Sequence, residues 1–180
     1  MSNFDKNKVT KALKRCLKDG LCFLVIASTL WAINTFVILN ADVPTGSMIP
    51  TLPEGCHFVA DRRAYVNMSP ERYDVIVFHA PDTGELYVKR VIGLPGETVH
   101  IRGGKVYINN ETEALDDSFC KEPMKYEDKD YKVPADSYFM LGDNRNDSLD
   151  SRYWTNTYVS SDLILGKVWF MYYPEFKVFS

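Results

Sequence analysis

At 180 residues the chain has room for one domain, or one domain and an anchor, and 46% hydrophobic with 25% charged residues is a globular balance with some apolar excess. Its net charge of −3 is uneven: residues 1–19 hold Lys6, Lys8, Lys11, Lys14, Arg15 and Lys18 against Asp5 and Asp19, a net +4, leaving 15 basic and 22 acidic side chains to the rest. So acidic a body lacks the basic stripe that nucleic acid requires, and a basic tail joined to it suggests orientation across a membrane.

The first predicted element is the uncharged run Gly20–Ala41, 22 residues long. As a helix at about 1.5 Å per residue it spans roughly 33 Å, close to the hydrocarbon thickness of about 30 Å. Ser28, Thr29, Asn34 and Thr35 also suit a buried core helix, but core helices seldom run this long uncharged behind a basic flank. A cleaved leader would carry a shorter apolar stretch and a small residue where Leu39 stands. The expectation is a cytoplasmic tail at 1–19, a single-pass transmembrane anchor at 20–41 in the cell membrane, and an extracytoplasmic domain at 42–180. Cys16 and Cys22 then belong to the tail and span. Cys56 and Cys120 lie outside, where a disulfide is chemically permitted and two isolated thiols fit equally well. No spacing suggests a metal, and nothing in the sequence calls for a cofactor.

Next comes Val43-Pro44-Thr45-Gly46-Ser47-Met48-Ile49-Pro50-Thr51-Leu52-Pro53, whose three prolines make a stiff, presented loop. Gly46 leaves room for another backbone beside Ser47. Ser47 falls six residues past the predicted span, so its hydroxyl stays within roughly 20 Å of the bilayer. An ordinary membrane-proximal turn and a nucleophile loop both fit this segment.

Short β-branched and aromatic runs follow: His57–Tyr65, Tyr73–His79, Glu85–Ile92, Thr98–Ile101, Lys105–Ile108, Ser137–Leu141 and Lys167–Tyr172. Turn residues separate them, with Gly103-Gly104 reading as a hairpin. The pattern predicts an all-β, mainly antiparallel, barrel-like folded sheet, with the N-terminal helix apart from it. Residues 109–132 are acidic and weakly patterned, and a small cap over approximately 102–136 is expected.

A serine hydroxyl needs a base. His57, His79 and His100 all sit in strand-like runs without an orienting carboxylate pattern. In Glu85–Ile92, Lys89 shares a face with Tyr87 and Val91 while Arg90 points the other way. A lysine among apolar neighbours loses hydration and becomes a usable base; a lysine at a strand edge instead snorkels to water. Both remain open from periodicity. Gly142–Arg152 interleaves charges and hydroxyls after an apolar strand, which suits either a solvated loop or a shell around a neutral lysine.

In order, Gly46-Ser47-Met48-Ile49-Pro50-Thr51, Lys89-Arg90-Val91-Ile92-Gly93-Leu94-Pro95-Gly96 and Gly142–Arg152 resemble the motifs of the type I signal peptidases, and the short span resembles Gram-positive members. The resemblance covers residues from about 20 to the C-terminus. It implies a membrane-bound serine endopeptidase that removes signal peptides from secretory preproteins through a Ser–Lys pair. Ser47 would be the nucleophile and Lys89 the base, with Thr45 and the Ser47 N–H at the oxyanion. Ser148 would bond the amine, Asp150 and Arg152 brace the loop, and Arg90 pair with Asp143. Met48 and the strand Asp74-Val75-Ile76-Val77 would edge the substrate groove, although Tyr73 stands where relatives carry glycine. The preprotein would bind as an added strand. Two other classes stay in view: an anchored, non-catalytic binding module and a self-cleaving Ser–Lys protease.

Overall fold

The computed structural model describes residues 3–179. They divide into two compact units, one ending at Ile38 and the other starting at Leu39.

The first unit is a helix, α1 (Asn3–Phe36). Its stretch Leu13–Phe36 is long and apolar enough to cross a membrane, with a mean hydropathy of 1.6 and no buried share. Leu17, Leu21, Phe23, Leu24, Ile26, Leu30 and Trp31 are all exposed, on every side of the helix. The helix stops short of the predicted boundary. Ile38–Asp42 is a strand, β1, so the end of the uncharged run belongs to sheet. Ser47 consequently follows the helix by eleven residues, and the chain-length bound on its distance from the helix end rises to roughly 40 Å.

The second unit is built from ten further strands: β2 (His57–Asp61), β3 (Val75–His79), β4 (Leu86–Gly93), β5 (Thr98–Arg102), β6 (Lys105–Ile108), β7 (Lys129–Lys132), β8 (Ser137–Leu141), β9 (Val159–Ser160), β10 (Ile164–Tyr173) and β11 (Lys177–Val178). The main sheet runs β1-β2-β10-β3-β4-β8-β9 with β11 on β10, and β6-β5-β7 form a small second sheet. Pairings β10–β2, β10–β3, β3–β4, β4–β8 and β8–β9 are all antiparallel. The all-β expectation holds, as folded open sheets; among the described residues the main sheet does not close into a barrel.

Burial explains the register. Val75 and Val77 enter one apolar cluster with Val43, Met48, Leu52 and Phe58, while Ile76 and Phe78 enter another with Val91, Met140 and Trp154. A strand covered on both faces needs an unbroken apolar run, which is what Val75–Phe78 supplies. A third cluster, from Ile92 through Val99, Ile101, Val106 and Tyr131 to Phe139, fastens the small sheet to β4 and β8. The β5–β6 turn has Gly103 and Gly104 at φ of 54° and 76°, as the predicted hairpin requires.

Predicted strand ends moved for local reasons. β2 ends at Asp61, whose Oδ1 accepts from the Arg63 N–H at 2.7 Å and turns the chain. β3 starts after Asp74 because Tyr73 has φ +75°, a left-handed backbone that breaks an extended strand. The acidic excursion also contains β7, which pairs β5.

Candidate active site

The loop after β1 is nailed down by its apolar residues. Met48 and Leu52 are fully buried, and the Leu52 N–H donates to the Met48 carbonyl at 2.9 Å. Gly46–Met48 form a single 3₁₀ turn that lifts Ser47 out of the strand direction. From the other side Asn144 holds this turn twice. Its N–H donates to the Ser47 carbonyl at 3.1 Å and its Nδ2 to the Gly46 carbonyl at 3.0 Å.

Lys89 reaches the same point from β4. Nζ lies 2.5 Å from Ser47 Oγ, with both side chains buried. Opposite Lys89 on β3 is Ile76, and the Tyr87 ring centroid is 5.6 Å from the amine. Burial draws the Lys89 ammonium down from 10.5 to about 8; the Asp150 and Asp143 charges oppose that pull and Arg152 adds to it. Thr45 is extended, and its hydroxyl donates to Ser47 Oγ at 3.3 Å.

The segment Gly142–Arg152 lies against the pair. Asp143 takes Arg90 with both oxygens, at 2.8 and 2.6 Å, and the Arg90 guanidinium also donates to the Tyr73 carbonyl and Thr51 Oγ1. Asp150 and Arg152, both buried, form a two-pronged ion pair at 2.8 Å, and Asp150 Oδ2 accepts from the Gly142 N–H at 3.0 Å. Such planar, doubly bonded pairs fix a loop's geometry as well as its charge. Gly142 sits so close to both Ser148 Oγ and the Ser47 carbonyl oxygen that any Cβ there would collide with them. Ser148 is therefore packed at the site, but its buried hydroxyl has no hydrogen-bond partner among the described residues and does not bond Lys89. That is one departure from the implied arrangement.

A groove of about 610 Å³ opens beside Ser47 and Lys89. Ala41–Thr45 from the β1 side and Glu85–Val88 from β4 form its walls, with Phe58, Val77 and Leu149 among the rest of its lining. Most of the residues expected at the groove edge lie away from this groove. Of Met48, Asp74, Val75, Ile76 and Val77, only Val77 lines it. Met48, Val75 and Ile76 are core residues, and Asp74 is buried in bonds to Tyr65 and Lys167. The outer wall instead comes from β4 itself. β8 pairs β4 only from Arg90 to Gly93, so the edge of Leu86–Lys89 on that side is open. β1 ends the sheet order, and among the described residues no further strand pairs it on its outer side.

The histidines are elsewhere. His57 stacks on Tyr172, His79 bonds the Gly84 carbonyl, His100 pairs with Asp130, and none lines the groove. Cys56 and Cys120 are free thiols, and no metal-ligand cluster occurs among the described residues. Residue-by-residue reading missed Asn144 and Leu86. Asn144 had a signal, its place between Asp143 and Arg145 in the third motif; Leu86 had none.

The site is a buried serine hydroxyl and a buried lysine amine at the head of an open groove in an antiparallel β domain, and comparison with known proteins gives the class and the family. The model for "Signal peptidase, peptidase S26" matches residues 14–173. Signal peptidase I of Leptolyngbya laminosa is 40% identical over 150 residues, covering 79% of this chain and 72% of that one. A probable signal peptidase I of Synechocystis sp. is 36% identical over 152 residues, covering 81% and 68%. A crystal structure of a signal peptidase I from Enterococcus faecalis superposes with a TM-score of 0.48 at 35% identity, covering 55% of this chain and 96% of that one. The chain belongs to the signal peptidase I family of serine peptidases.

Proposed function

We propose that this protein cleaves signal peptides from secretory preproteins with Ser47 as nucleophile and Lys89 as general base, working from a membrane anchor. The observation that carries this reading is the 2.5 Å approach of a buried lysine amine to a buried serine hydroxyl. With an ammonium drawn down to about 8, a working fraction of Lys89 is uncharged near neutrality and can accept the Ser47 proton.

The preprotein lies extended between the free edges of β1 and of Leu86–Lys89, adding a strand to the sheet. Ser47 Oγ attacks the scissile carbonyl carbon as Lys89 Nζ takes the hydroxyl proton. The Ser47 N–H and the Thr45 hydroxyl, swung off Ser47 Oγ, hold the oxyanion. Lys89 then gives its proton to the leaving amine, which departs as the mature N-terminus and leaves the signal peptide esterified to Ser47. Water, deprotonated by Lys89, hydrolyses that ester and restores both groups. Arg90–Asp143 and Asp150–Arg152 brace the loop that holds Ser47, and Ser148, packed against Gly142, is assigned to bond the amine in the working enzyme.

Anchoring follows from the uncharged part of Leu13–Phe36, residues 20–36, as the span, with the six basic residues of 1–19 kept in the cytoplasm and the β domain outside. The family relationship supports the substrate class, and the chemistry of the pair supports the mechanism. Incubating the full chain in detergent with a secretory precursor, then reading the new N-terminus by mass, tests both. Cleavage after a small residue by the parent, with Ser47→Ala and Lys89→Arg each at least about a thousandfold slower, is expected, because a guanidinium does not deprotonate. Precursor bound and never cut would make the protein a binding module; near-normal cleavage by Lys89→Arg would remove Lys89 as base.

A further inference from the structure

The excursion between β6 and β7 does not simply hang from the small sheet. Its stretch 116–126 crosses to the loop that holds Ser47. The Asp117 carboxylate takes the Arg145 guanidinium with both oxygens, at 2.8 and 2.7 Å, and the Arg145 side chain is 1% exposed. The Phe119 ring lies under two cations at once, with its centroid 4.2 Å from Arg90 Cζ and 5.7 Å from Arg145 Cζ. The Lys125 N–H donates to Asn146 Oδ1 at 2.7 Å, and Asn146 Nδ2 returns a bond to the Pro123 carbonyl at 3.1 Å. These contacts flank Asn144, the residue that fastens Ser47 and Gly46.

Tyr73 adds an independent observation. Its φ of +75° is a conformation suited to glycine and costly to a side chain, by roughly 1–2 kcal/mol. The ring it carries there packs edge-on against Phe119, at 5.8 Å between centroids, and its carbonyl accepts from Arg90. A side chain held where the backbone favours none points to a contact worth that strain.

We propose that residues 116–126 form a strap that positions the nucleophile, with Asp117, Phe119 and Tyr73 as positioning residues acting through Arg145 and Arg90 on Asn144 and Asp143. None of the three touches Ser47 or Lys89. The strap rests at one end on the small sheet, through the Leu115 N–H to the Val106 carbonyl and buried Met124, and at the other on the loop. It thereby ties the packing of the small sheet to the separation of the two reacting groups. The proposal rests on the Ser47–Lys89 reading.

Tyr73→Gly is the sharpest variant, because relief of the backbone offsets part of the packing lost with the ring, so the fold should survive the change. Asp117→Asn and Phe119→Leu complete the set, and Phe119→Tyr keeps the ring as the conservative control. In the full chain in detergent, the first three should lower kcat about tenfold or more while leaving KM within about twofold, and Phe119→Tyr should retain parental kcat. In Tyr73→Gly and Phe119→Leu, which remove contacts at Arg90, the acidic pH limb should move to higher pH, because loosening Arg90 leaves more of the Asp143 charge acting on the Lys89 amine. Parental kcat in Tyr73→Gly and Asp117→Asn, with an unmoved limb in Tyr73→Gly, would overturn the strap, as would a change confined to KM. Lys89→Arg, assayed in parallel, separates the two ideas. If it is inert while the strap variants match the parent, only the strap fails; if it cleaves normally, the Ser–Lys reading fails and takes the strap with it.

Discussion

As the proposed base, Lys89 is asked to be both buried and basic, and those demands conflict with stability. Its ammonium is drawn from 10.5 to about 8 in the folded chain, so between those two pH values the unfolded chain binds more protons and stability rises with pH. Below about 8 both states are protonated, and the burial costs the fold on the order of 3 kcal/mol at about 1.4 per pH unit. Lys89→Met should therefore stabilise the chain at pH 7 by about 1–3 kcal/mol while abolishing cleavage, and should flatten the rise in stability between pH 8 and 10.5. Denaturant titrations across that range check it; a Met variant less stable than the parent at pH 7 contradicts it. The sequence places Lys89 on an apolar strand face but leaves it free to snorkel. What closes it off is Ser47, 42 residues away, and the Gly142–Arg152 loop, more than fifty residues on. Alternation within one strand carries no information about either.

At the scale of elements, the site is two loops pressed together, and Gly142 is where they touch. Gly142→Ala would drive a methyl into Ser148 and the Ser47 carbonyl, so it should cost about 1–3 kcal/mol of stability and on the order of a hundredfold in kcat. Steady-state kinetics with a thermal melt test this; an alanine variant with parental kcat would mean the loops are not in register-tight contact. Strands with strong local pattern were legible. β3 and β4 read as apolar runs because one is buried on both faces and the other follows it in a hairpin. β1 was hidden, since Ile38–Ala41 continue the uncharged helix without a break in composition. β7 was hidden for the opposite reason. Lys129–Lys132 offers only Tyr131 as a buried residue, and its pairing with β5 is decided by backbone bonds and that one ring. The wall lined by Leu86–Lys89 was hidden for a related reason: which edge of β4 stays open depends on how far β8 pairs, a fact of topology.

The whole molecule divides its charge as it divides its structure, a basic, apolar helix followed by an acidic β domain. In sealed vesicles whose outer face corresponds to the cell exterior, added protease should degrade residues 42–180 and spare the tail, and alkaline carbonate should leave the protein in the membrane fraction. A protected β domain would reverse the proposed orientation. The proposed function returns to one amine. In a full-length chain with Cys16, Cys22, Cys56 and Cys120 replaced by alanine, Lys89→Cys should be inactive. Alkylating its thiol with bromoethylamine in denaturant, then refolding into detergent, rebuilds a primary amine of lower basicity at the same position. Measured against pH, preprotein cleavage should return with its acidic limb shifted to lower pH. Activity in the unalkylated variant, or a restored enzyme whose limb has not moved, would contradict Lys89 as the base.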